Sequence, residues 1–438
     1  MLIRKLGFGA AMLYFFLTPI TQARLVRVGP ISVVLFLGIA ALVLLSLEFA
    51  TGIRPALLFA PAWWVPLFVL FVSLVIGLLE GPGYAVANSG GFIAGFALPV
   101  GLASFMLREL PRMVKVSLSL ALGLAVAALV QIFNEVFSGQ SQVPVDYASL
   151  SKSLLQARAW EAAAELGIQN AYGCLAMAIC AAACAAVALG AEKRSQRWSF
   201  AALALVLLIG QSRGGYMVSS IVAAVGVAAA FLWNVRAKRR LRSIVVFLML
   251  PVAVVYLAVR FGYLQAYDLG WRLDKIRASG VMDDDSIAER WDAVKLSRHA
   301  FRSNPVTGIG LQGWFFDRES PINKHSSIVD VLAELGVLGF CAYYAWLVGS
   351  ARRAFNAWRT LRPGNPSRSI ACAAGVAALA FLVGSMLNPV FLQPILNEVL
   401  VCLAALSVAL REDVRRESSG IADGGKPPEE TRTALDPA

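Results

Sequence analysis

The stretch GPISVVLFLGIAALVLLSLEFA, residues 29–50, decides the fold class. A run of about 20 such residues crosses the hydrocarbon of a bilayer as one helix. Comparable runs recur at Leu6–Gln22, Leu57–Leu79, Gly83–Leu107, Met113–Phe137, Leu166–Gly190, Trp198–Gln211, Gly215–Val235, Ser243–Phe261, Ile328–Ser350, Ile370–Leu387 and Phe391–Leu410. Together they make about twelve expected spans, with the seventh the shortest. A hydrophobic fraction of 58% over 438 residues and a mean hydropathy of +0.68 exclude an ordinary soluble globule. Lipid offers the backbone no hydrogen-bond partners, so the expected class is an all-α integral membrane protein. Its bundle takes residues 1–416. The tail, residues 417–438, is rich in Gly, Pro, Glu and Asp and reads as disordered. No small-x-small site clearly follows the first run, so that run reads as a span rather than a cleaved signal peptide.

A net charge of +12 invites a nucleic-acid partner, but its distribution argues against one. Basic residues cluster in alternate loops: Arg108/Arg112/Lys115, Lys193/Arg194/Arg197, Arg236–Arg242, Arg352–Arg368 and Arg411/Arg415/Arg416. That is the positive-inside pattern, and with Arg4 and Lys5 it assigns both termini to the cytoplasm. The short loop with Arg24 and Arg27 breaks the phase. Ser138–Glu165, the Ser212–Gly214 break, Phe261–Ser327 and the Asn388–Pro389 turn then face outward. In a bacterium this is the periplasmic side of the inner membrane. All six cysteines fall inside expected spans and read as packing residues, and no Cys/His pair has zinc spacing.

The outer segment 262–326 is the long polar stretch between spans, and both histidines, His299 and His325, lie in it. Ser286 and Glu289 form an S-x-x-E capping box, which predicts a helix starting near Ile287. Asn304-Pro305 ends it. Ile287, Trp291, Val294 and Phe301 give an apolar face, flanked by Arg290. At 100° per residue His299 falls about half a turn from Arg290, so the two do not share a site easily. A second outer stretch, from Ala148, has an apolar side of Leu150, Leu154 and Leu155. It fits a surface helix or a solvated connector equally well. Ser326 or Ser327 is placed to cap the following span.

Arg213 sits in Gly210-Gln211-Ser212-Arg213-Gly214-Gly215, a glycine-flanked turn at the outer membrane surface. A permanent charge at that depth expects an anionic partner. The bland reading is snorkelling to lipid phosphates, which the outward position disfavours. From position alone Arg290 reads as a solvated helix arginine within reach of Asp285, Glu289 and Asp292. His325, at the entrance to a span, suits a cap as well as catalysis. Glu334 reads as a structural support inside the following span, and Asp330 has no assigned role. Gly308-x-Gly310-x-x-Gly313 has the letters of a dinucleotide fingerprint but no βαβ context. Asp283-Asp284-Asp285 reads as a helix-start cap before it reads as a metal site.

As a set these motifs resemble the O-antigen ligase and polymerase superfamily. The resemblance rests on the glycine-flanked SRGG at Arg213 and on Arg290-Trp291-Asp292-Ala293. It also rests on the NPxxGxGxxGW run from Asn304 to Trp314 and on the series from His325 through Glu334 to Gly339. It covers Gly210 to Tyr344 by motif. It implies a GT-C-type membrane glycosyltransferase, with ligase preferred. The implied donor is an undecaprenyl pyrophosphate-linked glycan, and the acceptor a sugar hydroxyl of the lipid A–core oligosaccharide at the periplasmic face. The family is described as independent of metal and ATP, so no cofactor is expected. By motif Arg213 and Arg290 become the essential, pyrophosphate-binding arginines and His325 the essential histidine. Inversion at the anomeric carbon is expected.

Three alternatives remain at this point: an O-antigen polymerase, a protein O-oligosaccharyltransferase and, more distantly, a secondary transporter. Related halves with matching broken helices would favour the transporter, and the sequence shows no such pairing. Membrane lipids are expected partners, and nucleic acid is not.

Overall fold

The structure, a computed structural model, describes residues 2–22, 33–50, 71–72, 75, 97–106, 109–138, 171–213, 217–234, 285–309, 327–362, 364–387 and 394–422. Among them every regular element is a helix. In chain order these are α1 (Leu2–Gln22), α2 (Val33–Ala50), α3 (Leu98–Met106), α4 (Leu110–Ser138), α5 (Ala171–Gly190) and α6 (Arg194–Arg213). There follow α7 (Met217–Asn234), α8 (Asp285–Ser303), α9 (Ser327–Thr360), α10 (Pro366–Leu387) and α11 (Pro394–Ala422).

Four of these helices are long and apolar enough to cross a membrane, through Leu110–Val130, Gly173–Gly190, Val331–Thr360 and Pro366–Met386. Shorter apolar segments lie in α1, α2 and α7, at Lys5–Ile20, Val34–Leu47 and Ser219–Trp233. The chain is therefore read as a multi-pass membrane protein. The expected spans 57–79 and 243–261 and the stretch from Ala148 lie outside the described residues, save for 71, 72 and 75.

Helix α5 is central and packs on α6, α7, α10 and α11. Its sequence, AYGCLAMAICAAACAAVALG, explains this position. Lipid tails are as apolar as side chains, so helices in a membrane associate by close packing, which small residues permit. Gly226 of α7 sits so near α5 that a Cβ there would come within 2.5 Å of the Ala182 Cβ. Helices α1, α4, α9 and α11 complete the bundle around it.

One end of the bundle is basic and aromatic. Trp233 of α7 stacks on Trp358 of α9 with ring centroids 5.8 Å apart and meets Phe355 at 5.3 Å. The Arg368 guanidinium lies 5.6 Å over the Trp358 ring. Arg353 of α9 donates to Ser407 Oγ of α11 and to its own Ser350 Oγ, each at 3.1 Å. A Cβ on Gly364 would meet Glu192 Oε1 at 3.5 Å, so the α5–α6 and α9–α10 turns are neighbours. Tryptophan and arginine at helix ends suit a membrane–water boundary. The tail boundary expected at Glu417 falls inside α11, which continues to Ala422. Asn365 Nδ2 donates to Glu417 Oε2 at 3.2 Å, and Arg362 Nε lies 3.7 Å from its Oε1. These contacts hold the helix past the point where composition alone ends it.

At the other end α9 is broken. Gly336 has φ 62 and ψ −167, which is not helical. Such a break frees carbonyls and N–H groups that lipid cannot satisfy. The segment after α8 satisfies them instead. Ile309 N donates to Ala333 O at 3.0 Å, Val337 N to Pro305 O at 2.9 Å and Leu338 N to Val306 O at 3.3 Å. Gly308 N closes the turn on Asn304 O at 2.9 Å. Both glycines are required by contact and by dihedral. Gly308 has φ 72, and a Cβ there would collide with the Glu334 carbonyl; a Cβ on Gly336 would collide with the Val306 carbonyl.

Gly308→Ala and Gly336→Ala should therefore each destabilise the protein severely, by at least the ~1–3 kcal/mol of a strained residue plus the backbone collision. Gly9→Ala is the control, because nothing lies within 4 Å of a Cβ at Gly9. Thermal unfolding in detergent should show a large loss for the first two and none for the third.

Candidate functional site

The candidate site is built on the break in α9. Helix α8 starts at Asp285, slightly before the expected Ile287, and ends at Ser303 ahead of Asn304-Pro305 as the proline demands. Its packed face differs from the expected one. Val294 is 37% exposed, whereas Ser297 and Ala300 are 5% and 7% exposed. The backbone ladder draws the end of α8 against α9, and only small side chains fit that approach. The packed face is thereby turned toward position 290. Arg290 precedes Ser297 by seven residues, two turns of helix, and so shares its face. His299 lies on the opposite side of α8 and is exposed.

Glu334 sits two residues before the break and is fully buried, at 0% exposure. Its own backbone carbonyl forms the surface against which Gly308 rests. A carboxyl in that position lies beneath the α8–α9 connection, on the helix that follows His325.

Arg213 is the last residue of α6, and positions 214–216, where the expected chain break falls, lie outside the described residues. Helix α6 has 20 residues, so Arg213 stands ~30 Å along the helix from the basic, aromatic end at 1.5 Å per residue. The α9 break is removed from that same end by a comparable rise, since Thr360 ends α9 there. The α6–α7 turn and the α8–α9 ladder consequently lie toward the same end of the bundle. The side chains of Arg213, Arg290 and Asp330 and the whole of His325 lie outside the described residues. Helix α9 begins at Ser327, two positions after His325.

A carboxylate and an amide that the motif reading passed over are buried nearby in sequence. Asn397 and Glu398 of α11 are both 0% exposed. Glu398 lies beside Tyr14 and Thr18 of α1. The available signal was their place one turn into an apolar run, where ionisable residues are rare and commonly functional.

Among the described residues no group of three His, Cys, Asp or Glu side chains gathers as for a metal ion. The described cysteines are all free thiols. Gly308 is accounted for by the α9 contact, and Gly310 and Gly313 lie outside the described residues.

No curated protein matches the chain. Residues 198–344, from within α6 to Tyr344 in α9, match the family model described as O-antigen ligase.

Proposed function

We propose that the chain is an O-antigen ligase that moves a glycan from undecaprenyl pyrophosphate to a sugar hydroxyl of lipid A–core at the periplasmic face. One observation carries the reading: the family segment 198–344 encloses Arg213, Arg290, His325 and Glu334 together. That family supports a membrane enzyme of the O-antigen ligase or polymerase type with a lipid-linked glycan substrate. The proposed frame is a GT-C-type bundle of about twelve spans with both termini cytoplasmic. The large loop 262–326 is periplasmic.

Breaking the sugar–pyrophosphate bond leaves negative charge on phosphate oxygens. Arginine meets phosphate with paired, charge-assisted hydrogen bonds and keeps its charge at membrane depth. Arg213 and Arg290 grip the pyrophosphate and stabilise charge as it develops on the leaving group. His325 takes the proton of the acceptor hydroxyl as general base, a role that imidazole serves at physiological pH. The oxygen attacks the anomeric carbon opposite the leaving pyrophosphate and inverts it. The donor is already activated, so the step needs no nucleotide or metal. Glu334 supports the site from beneath the α8–α9 connection rather than by touching substrate.

The polymerase is the second reading, since the same family supports both. A lipopolysaccharide gel from a deletion strain separates them. Bare core with polymer left on its carrier marks a ligase; core bearing one repeat unit marks a polymerase. An unchanged ladder sinks both.

Arg213→Ala and Arg290→Ala should each lower transfer in vesicles by about 10²–10³, the usual loss on removing one charge-stabilising donor. Wild-type transfer by Arg213→Ala would refute the clamp. In wild type, protonation of His325 should depress the rate as pH falls. His325→Ala should be slower and lose that acid limb; an unchanged pH profile would remove it as the base. Glu334→Ala should lower the unfolding temperature together with activity, whereas the arginine variants should keep wild-type stability.

A further inference from the structure

A cavity of about 380 Å³ lies between α4, α5, α6, α10 and α11. It belongs to the basic, aromatic end of the bundle, away from the α9 break. Along α10 its lining runs from Pro366 to Ala377, about 16 Å of helix at 1.5 Å per residue. That depth equals one leaflet of a hydrocarbon core roughly 30 Å thick. The deep walls are apolar, with Ala121, Ala374 and Leu403 among them. Gln196 and Ser369 stand at the mouth, and Ser117 adds one hydroxyl deeper in the wall.

The mouth is also where the charge is. Arg197 adjoins Gln196, and its Nη2 donates at 3.1 Å to the carbonyl of Ala191, another lining residue. Lys193 and Arg194 are exposed in the same turn as Arg197, against the single acid Glu192. An apolar slot one leaflet deep with a cationic rim matches an amphiphile with one anionic head and a linear tail. The volume is at the small end of ligand sites, roughly 300–1,000 Å³, and suits a single chain better than a bulky headgroup.

We propose that this cavity binds one acyl chain of an anionic phospholipid from the leaflet at the basic end, with the lipid phosphate held by Arg197 at the mouth. A juxtamembrane cation attracts anionic lipid, and a ligand that binds only the folded state raises its stability by mass action. The bound lipid fastens α10 and α11 to α5 where small side chains leave a void. The site is independent of the transfer reaction proposed above.

The test uses purified full-length protein in detergent with three added lipids: phosphatidylglycerol, phosphatidylcholine and undecaprenyl phosphate. Thermal unfolding and native mass spectrometry are the readouts. Phosphatidylglycerol should raise the unfolding midpoint by several degrees and remain bound at one copy, with little effect of phosphatidylcholine. Arg197→Gln, which leaves the apolar lining intact, should lose most of that rise. Ala374→Trp should fill the slot and retain no lipid. Should that variant fail to fold, Arg197→Gln decides alone. Equal shifts with both phospholipids, or a full shift in the arginine variant, would overturn the proposal. Preferential retention of undecaprenyl phosphate would overturn it in favour of a prenyl-lipid site.

Discussion

Three backbone hydrogen bonds hold the functional half of this protein together. They run from the segment 305–309 into the gap that Gly336 opens in α9, joining Ile309 to Ala333, Val337 to Pro305 and Leu338 to Val306. A helix in a membrane normally satisfies its own backbone, and a break inside one is tolerated only where protein covers it. Here the cover is the connection leaving α8. Because each exchange is backbone to backbone, the register is set to the residue. The helix bearing Arg290 and the helix following His325 are therefore one mechanical unit, with Glu334 buried at the junction. The glycines at 308 and 336 are the condition for that contact, since either Cβ would occupy a carbonyl of the other segment.

The remainder of the bundle obeys a different constraint. Apolar side chains gain little by leaving lipid for one another, so the interior is assembled by close approach. The alanine-rich α5 supplies it, and α6, α7, α10 and α11 gather on it. Charge and aromatic rings then sort to one end, where Trp233, Phe355, Trp358, Arg353 and Arg368 meet. The end of α6 at Arg213 and the chain turn around Asn304 sort to the other. This separation leaves two dissimilar environments. One holds the break in α9, the setting of the proposed chemistry on a charged leaving group. The other is an apolar slot between small side chains, rimmed with arginine and suited to a lipid.

The proposed chemistry draws on the same separation. Charge developing on a pyrophosphate needs cations held in place before the reaction begins. Position 290 is held because α8 is stapled to α9 and turns the face carrying Ser297 and Ala300 inward. Position 213 is held because α6 ends there against a bundle anchored ~30 Å away along the helix. No side chain of the bundle needs to bridge them for both to stand at one end.

Composition and spacing by themselves determined that the chain is helical and embedded in lipid, because burial in hydrocarbon leaves the backbone no alternative. They also located the stop of α8 before Pro305, since proline acts locally. The motifs from Arg213 to Gly339 were legible for the same reason, and the family segment 198–344 encloses them. Only the tertiary structure decided what the glycines at 308 and 336 are for. It also decided that α8 packs through Ser297 and Ala300 rather than through Val294, and that α11 continues beyond Glu417. Those facts depend on a partner segment distant in sequence. Periodicity reports that a helix has an apolar face, but the face actually buried is chosen by whichever backbone comes close enough to require the smallest side chains.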